Sequence, residues 1–256
     1  MNLSFPSNWG IAGRLFVGSL LMLATASLAS AEEPKKATDS FKIGPKSIEI
    51  ERFEPKASGK VPAIIIVHGA SGMEEHADAY RNFGRELADA GYAAFIVHYF
   101  DRTETKKNPD DKLIRSLFQA WMQTLKDTVS YVAKQPNVDD KKIGFLGFSL
   151  GAFLSLSTAS QDPRIGAVVE YFGGLPTPLM GFIKKMPPTL ILHGEDDKAV
   201  KVDEAHKLEK FYKDKGFPYE IKLYAGQGHG FTGDDAKDAT KRAITFFDKN
   251  LKEAAK

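Results

Sequence analysis

Residues 142–160 read KIGFLGFSLGAFLSLSTAS. Their first half is a short apolar run of the kind that makes a buried strand, and their second half has the composition of a helix. Between the halves stands Gly147-Phe148-Ser149-Leu150-Gly151, a match to G-x-S-x-G. The pattern alone is weak, because a serine that merely caps a helix produces it too. Its setting decides the reading: a strand, a sharp turn and a helix that begins at the serine form a nucleophile elbow. Such a turn lifts the hydroxyl above the end of a sheet and sets it at a helix N-terminus, where oriented N–H groups favour a developing oxyanion.

Outward from this elbow, short apolar runs alternate with longer amphipathic stretches. The runs cover residues 47–53, 63–68, 93–99, 142–147, 167–171, 189–193 and 219–224. Several are apolar on consecutive positions (AIIIV, AAFIV, TLILH), as expected of strands covered on both faces. Helical spacing is found over 80–90, 113–134, 202–215 and 235–251. Strands alternating with helices predict βαβ units, hence an α/β fold with a mostly parallel central sheet and helices on both faces. The first run, near Ile48 and Ile50, alternates polar and apolar residues and reads as an antiparallel edge. Residues 102–112 and 173–188 each follow a strand. They are expected above the C-terminal edge of the sheet, where open α/β folds bind ligands, or else are solvated connections.

A neutral serine needs a base. Of six histidines, His76 and His206 lie on exposed or helical stretches, and His68, His98 and His193 end strands. His229 stands in GQGHGF (226–231), a glycine-rich loop able to carry an imidazole over the sheet edge, and is the chosen base. The base needs an acid to fix its tautomer. The strand TLILH runs into GEDDKAV, which points to Asp197, with Asp196 second and Glu170, at the end of AVVEY, behind them. Ser149, Asp197 and His229 then follow in chain order at three strand ends. The first oxyanion donor is expected to be the Leu150 N–H. The second is expected from the loop HGASG (68–72), with Ala70 preferred over Ser71, unless that loop serves chain reversal alone.

The chain has 256 residues, of which 43% are hydrophobic and 27% charged, so it is neither disordered nor fibrous. Lys and Arg number 35 against 33 Asp and Glu, which argues against a nucleic-acid partner. With no cysteine, disulfides, thiol nucleophiles and thiolate metal sites are excluded. Residues 1–31 stand apart: Arg14 is their one charged side chain, 15–28 is apolar, and Ala29-Ser30-Ala31 precedes an abrupt polar stretch. This reads as a cleaved signal peptide, against the alternative of an uncleaved anchor. The expected product is exported, periplasmic or secreted, without stable membrane insertion. It would have a flexible segment over 32–41 and one domain over 42–256.

From about residue 64 to 247 the chain resembles the dienelactone hydrolase family of α/β-hydrolases. The resemblance rests on IIIVHGASG, GRELADAGYAAFIVHYF, IGFLGFSLGA, YFGG, LILHGEDDKAV and GQGHGF. It implies an α/β-hydrolase fold and hydrolysis of small-molecule esters or lactones through an acyl-enzyme, without metal or organic cofactor. Two departures stand out. The family's elbow resembles G-x-C-x-G, where this chain has Ser149. The family also holds a substrate carboxylate with two arginines. Arg102 matches the first by position, whereas Thr232 and Gly233 occupy the place of the second. A general carboxylesterase is therefore the expected activity. The alternatives are a peptidase or acyltransferase on the same triad, or a non-catalytic exported binding protein.

Overall fold

The computed structural model describes residues 35–252, so the leader-like segment lies outside the described residues. Eight strands form one sheet: β1 (Lys35–Ile43), β2 (Lys46–Glu54), β3 (Val61–Val67), β4 (Ala93–Val97), β5 (Val138–Phe148), β6 (Ile165–Tyr171), β7 (Thr189–Gly194) and β8 (Tyr219–Tyr224). Their order is β1-β2-β4-β3-β5-β6-β7-β8. The strands from β4 across to β8 are parallel, while β1–β2 and β2–β4 are antiparallel. The helices are α1 (Gly72–Asp89), α2 (Asp111–Val132), α3 (Leu150–Ala159), α4 (Thr177–Met180), α5 (Asp203–Lys215) and α6 (Gly233–Phe247). None among the described residues is long and apolar enough to cross a membrane.

The unbroken apolar runs are explained by two cores. Ala63, Ile65 and Val67 of β3 point to one face, into a core that also holds Trp121 and Leu125 of α2, Phe153 of α3 and Leu208 of α5. Ile64 and Ile66 point to the other and meet Leu87 of α1 with Ala243, Phe246 and Phe247 of α6. Side chains alternate between faces along a strand, so a strand buried on both faces must be apolar at every position. Each fully buried Ile or Leu contributes about 1.5–3 kcal/mol. The two-sided stack thus holds the strand ends, and the loops on them, in place.

Several expectations are corrected. Residues 35–41 are not a flexible segment: they belong to β1, which pairs with β2 from Lys35↔Glu54 to Ile43↔Lys46. Its polar residues are tolerated because an edge strand leaves much of its surface in water. Phe41 stacks on Tyr131 of α2 at 5.1 Å, and Asp39 accepts the Tyr131 hydroxyl at 2.6 Å. Consequently β2 is antiparallel but not the edge. Helix α1 starts eight residues earlier than its periodicity suggests, because a kink at His76 (φ −127°, ψ 19°) breaks the 3.6-residue repeat. Residues 99–103 form a 3₁₀ turn, and α4 lies within 173–188.

Both ends of the described chain lie at the edge of the sheet where the parallel strands begin. Lys35 pairs with Glu54, beyond Phe53, which lies opposite Ala94 near the start of β4. At the other end Lys252 Nζ donates to the Ala90 carbonyl just ahead of β4, and Leu251 packs near Gly144 and Gly166.

Candidate active site

Ser149 joins β5 to α3 with φ +52° and ψ −118°. A non-glycine residue held there costs about 1–3 kcal/mol and persists only when its surroundings enforce it. Here the Ser149 N–H donates to the Tyr171 carbonyl at 3.0 Å, and its own carbonyl accepts from Ala152 N–H at 2.9 Å and Phe153 N–H at 3.2 Å. The two motif glycines make the turn possible. A Cβ on Gly147 would stand 2.6 Å from Ala152 Cα, and one on Gly151 would overlap the carbonyl oxygens of Val67 and His68. Helix α3 can lie close against β5 and the end of β3 only because both side chains are absent.

The structure brings Ser149, His229 and Asp197 into one hydrogen-bonded row. Ser149 Oγ lies 2.9 Å from His229 Nε2, and His229 Nδ1 lies 2.7 Å from Asp197 Oδ2. The other Asp197 oxygen, Oδ1, accepts the N–H groups of Ala199 at 2.8 Å and Val200 at 2.9 Å. Burial would raise the Asp197 carboxyl, but hydrogen bonds from His193, His229 and the Val200 amide, with the charge of His229, hold it down at about 2. An ionised Asp197 can only accept, so His229 Nδ1 carries the hydrogen and Nε2 offers its lone pair to the serine hydroxyl. The neighbouring Glu195 and Asp196 are exposed. Glu170 is fully buried and accepts the Gly173 N–H at 2.8 Å, so neither alternative acid takes the place of Asp197 in this row.

The 68–72 loop is pinned on both sides. His68 donates from Nδ1 to the Gly69 carbonyl at 2.8 Å, with its ring stacked 4.1 Å from that of Tyr99; burial lowers its pKa to about 3 and keeps it neutral. The Gly69 N–H donates to the Tyr80 hydroxyl at 3.1 Å, and the Ala70 carbonyl accepts from Asn108 N–H at 2.7 Å. Among the described residues, the N–H groups of Leu150 and Ala70 are left without a protein acceptor. Ser71 caps α1 without a side-chain cap bond.

Arg102 is drawn elsewhere. Its Nη1 donates to Asp127 Oδ2 on α2 at 2.8 Å, a partner 25 residues away. Tyr80 and Phe172 carry no marker of a role in the sequence, and His193 reads there only as the end of a strand. Phe172 follows β6 with φ +42° and sets its ring 4.7 Å from that of His229. Among the described residues, Glu49, Glu51 and His98 are close enough together to share a metal, but Glu51 is already met by Lys36 at 2.7 Å and Arg81 at 2.8 Å.

Tyr80 gives a direct test of the loop. In Tyr80→Phe the buried Gly69 N–H loses its acceptor, an unsatisfied donor costing about 1–3 kcal/mol. The 68–72 loop should loosen, lowering Tm by at least about 2 °C. A thermal melt checks this; an unchanged Tm would mean that Tyr80 does not support the loop.

A family model described as the dienelactone hydrolase family matches residues 49–254. The protein usf of Aquifex pyrophilus is 28% identical over 214 residues, covering 77% of this chain and 91% of that one. A dienelactone hydrolase-like promiscuous phosphotriesterase from metagenomic libraries superposes with a TM-score of 0.73 at 18% identity, over 86% of this chain and 99% of that one. Pyrococcus horikoshii acylaminoacyl peptidase gives a TM-score of 0.71 at 18% identity, over 87% of this chain and 43% of that one. At such identities the structures establish the shared fold, which hosts more than one chemistry.

Proposed function

We propose that this chain, which belongs to the dienelactone hydrolase family, is a serine hydrolase that cleaves carboxylic esters or lactones through an acyl-enzyme. The observation that carries this reading is the Asp197–His229–Ser149 row, continuous at 2.7 and 2.9 Å. His229 Nε2 takes the Ser149 proton as Oγ attacks the ester carbonyl carbon. The carbonyl π pair moves onto oxygen, where the N–H groups of Leu150 and Ala70 receive it, each such donor being worth roughly 3 kcal/mol in a dry site. The imidazolium, stabilised by Asp197, returns the proton to the departing alkoxide. Water then enters, gives its proton to His229 and attacks the acyl carbon, and Ser149 leaves reprotonated. The ester or lactone is preferred to a carboxylate-bearing dienelactone because Arg102 is committed to Asp127. Export of the protein is proposed with it, supported by the composition of residues 1–31.

Hydrolysis of p-nitrophenyl acetate, butyrate and octanoate by residues 32–256, together with labelling by a fluorophosphonate, tests the proposal. Turnover is expected with at least one ester, and peptide mapping is expected to find the phosphonate on Ser149. Absence of both turnover and labelling would leave a binding protein of this fold and overturn it.

A further inference from the structure

The mechanism above leaves unused two fully buried ionisable side chains below the elbow, Glu170 on β6 and His193 on β7. Glu170 pairs with Ile191, and side chains alternate along a strand, so Glu170 shares a face with Ile191 and His193. His193 Nε2 lies 2.8 Å from the Val200 carbonyl and 3.4 Å from Asp197 Oδ2. Both neighbours can only accept, so Nε2 must carry a hydrogen. The Asp197 oxygen it faces is the same one that takes the Nδ1–H of His229 at 2.7 Å. Behind it, His193 Nδ1 and Glu170 Oε1 are buried and make no hydrogen bond among the described residues. Buried polar groups without partners are rare enough to need an explanation.

We propose that His193 is a positioning residue of the triad: its Nε2–H, donated to the Val200 carbonyl at 2.8 Å, also faces the Asp197 oxygen bound by His229 at 3.4 Å and draws off part of that oxygen's negative charge. The inference rests on the serine-hydrolase reading. A carboxylate that shares its charge with a second donor grips an imidazolium less strongly, so His193 sets how firmly Asp197 stabilises protonated His229. The titratable groups around His193 and Glu170 are few. Asp197 and His229 come from the two loops, and Tyr212 comes from α5 with its hydroxyl 2.7 Å from Thr189 Oγ1. Helix α3 (Leu150–Ala159) contributes none, nor does Gly147 of β5, which pairs with Glu170. Burial pushes the Glu170 carboxyl up to about 7. Burial would lower His193, but Asp197, Glu170 and the Val200 carbonyl raise it.

The test compares kcat/KM from about pH 5 to about pH 9 for wild type, His193→Leu, His193→Asn and His193→Gln on p-nitrophenyl butyrate, the range a histidine base titrates in. The glutamine amide nitrogen reaches the place of Nε2 and keeps a donor there, whereas leucine has none and asparagine is too short. In the leucine and asparagine variants kcat should fall about 10- to 100-fold. The acidic limb of their profiles should move up by about half a pH unit, because Asp197 then holds the imidazolium more tightly. Glutamine should bring both back to within about threefold and about 0.2 unit of wild type, as a surviving charge-assisted hydrogen bond requires. Thermal melts confirm folding, and asparagine stands in for leucine if the latter does not fold. An acidic limb that stays at its wild-type pH in both variants lacking the donor would overturn the inference while leaving the serine-hydrolase reading intact. A wild-type protein that neither hydrolyses esters nor takes the phosphonate would overturn both.

Discussion

An Asp197→Asn protein should fold normally yet turn over esters about 10⁴ times more slowly than wild type, the loss expected when a triad base is held in the wrong tautomer. The reason lies in how the carboxylate is held. Oδ1 accepts two backbone N–H groups, from Ala199 and Val200, so an asparagine must keep its carbonyl oxygen there. Its NH₂ then occupies the Oδ2 position and donates toward His229 Nδ1, 2.7 Å away in the wild type. His229 must accept at Nδ1 and carry its hydrogen on Nε2, which faces Ser149 and can no longer take the serine proton. His193, which also donates toward that position, reinforces the misfit. Kinetics with p-nitrophenyl butyrate and a thermal melt measure the two halves of the expectation. A folded variant within tenfold of wild type would mean that the acid acts elsewhere, and Asp196 would be examined next.

Gly151→Ala should be among the most damaging single methyls in the described chain. The added Cβ overlaps the Val67 and His68 carbonyl oxygens, which are backbone atoms at the end of the central strand and cannot rotate away. Either α3 backs off from β5 or β3 shifts, and such overpacking costs about 3 kcal/mol or more. For a domain of this size that lowers Tm by about 6–12 °C. The same displacement separates Ser149 and the Leu150 N–H from the 68–72 loop, and a misplacement of about 1 Å costs at least 10²-fold in rate. Differential scanning calorimetry and ester kinetics read the two effects. A Tm within about 2 °C of wild type would show that the elbow can yield, contrary to the packing described.

Much of this architecture was legible in the chain because it depends on local signals. AIIIV and AAFIV are apolar at every position, which only a strand covered on both faces requires, and both faces are covered. Ser149, Asp197 and His229 each follow a strand and each carries a local marker, in GFSLG, GEDD and GHG, so their convergence could be expected before any contact was known. What escaped depends on distant partners. β1 has a polar composition, and only its pairing with β2 makes it a strand. Arg102 finds Asp127 on a helix that the motif around it does not mention. Tyr80 acquires its role from Gly69, 11 residues away across the start of α1, and the kink at His76 conceals that start. His193 read as an ordinary strand end. Its bearing on Asp197 follows from the turn that folds residues 194–200 back over the sheet, and the depth of Glu170 follows from the register of β6 against β7.

The placement of the two ends of the described chain has a practical consequence. Lys35 and Lys252 both leave at the edge where the parallel strands start, whereas Ser149, Asp197 and His229 rise from the edge where they finish. A bead, resin or carrier protein attached at position 35 or 252 therefore stands behind the sheet and leaves approach to the serine unobstructed. Immobilised preparations of either polarity should retain the same KM for a soluble ester as the free protein.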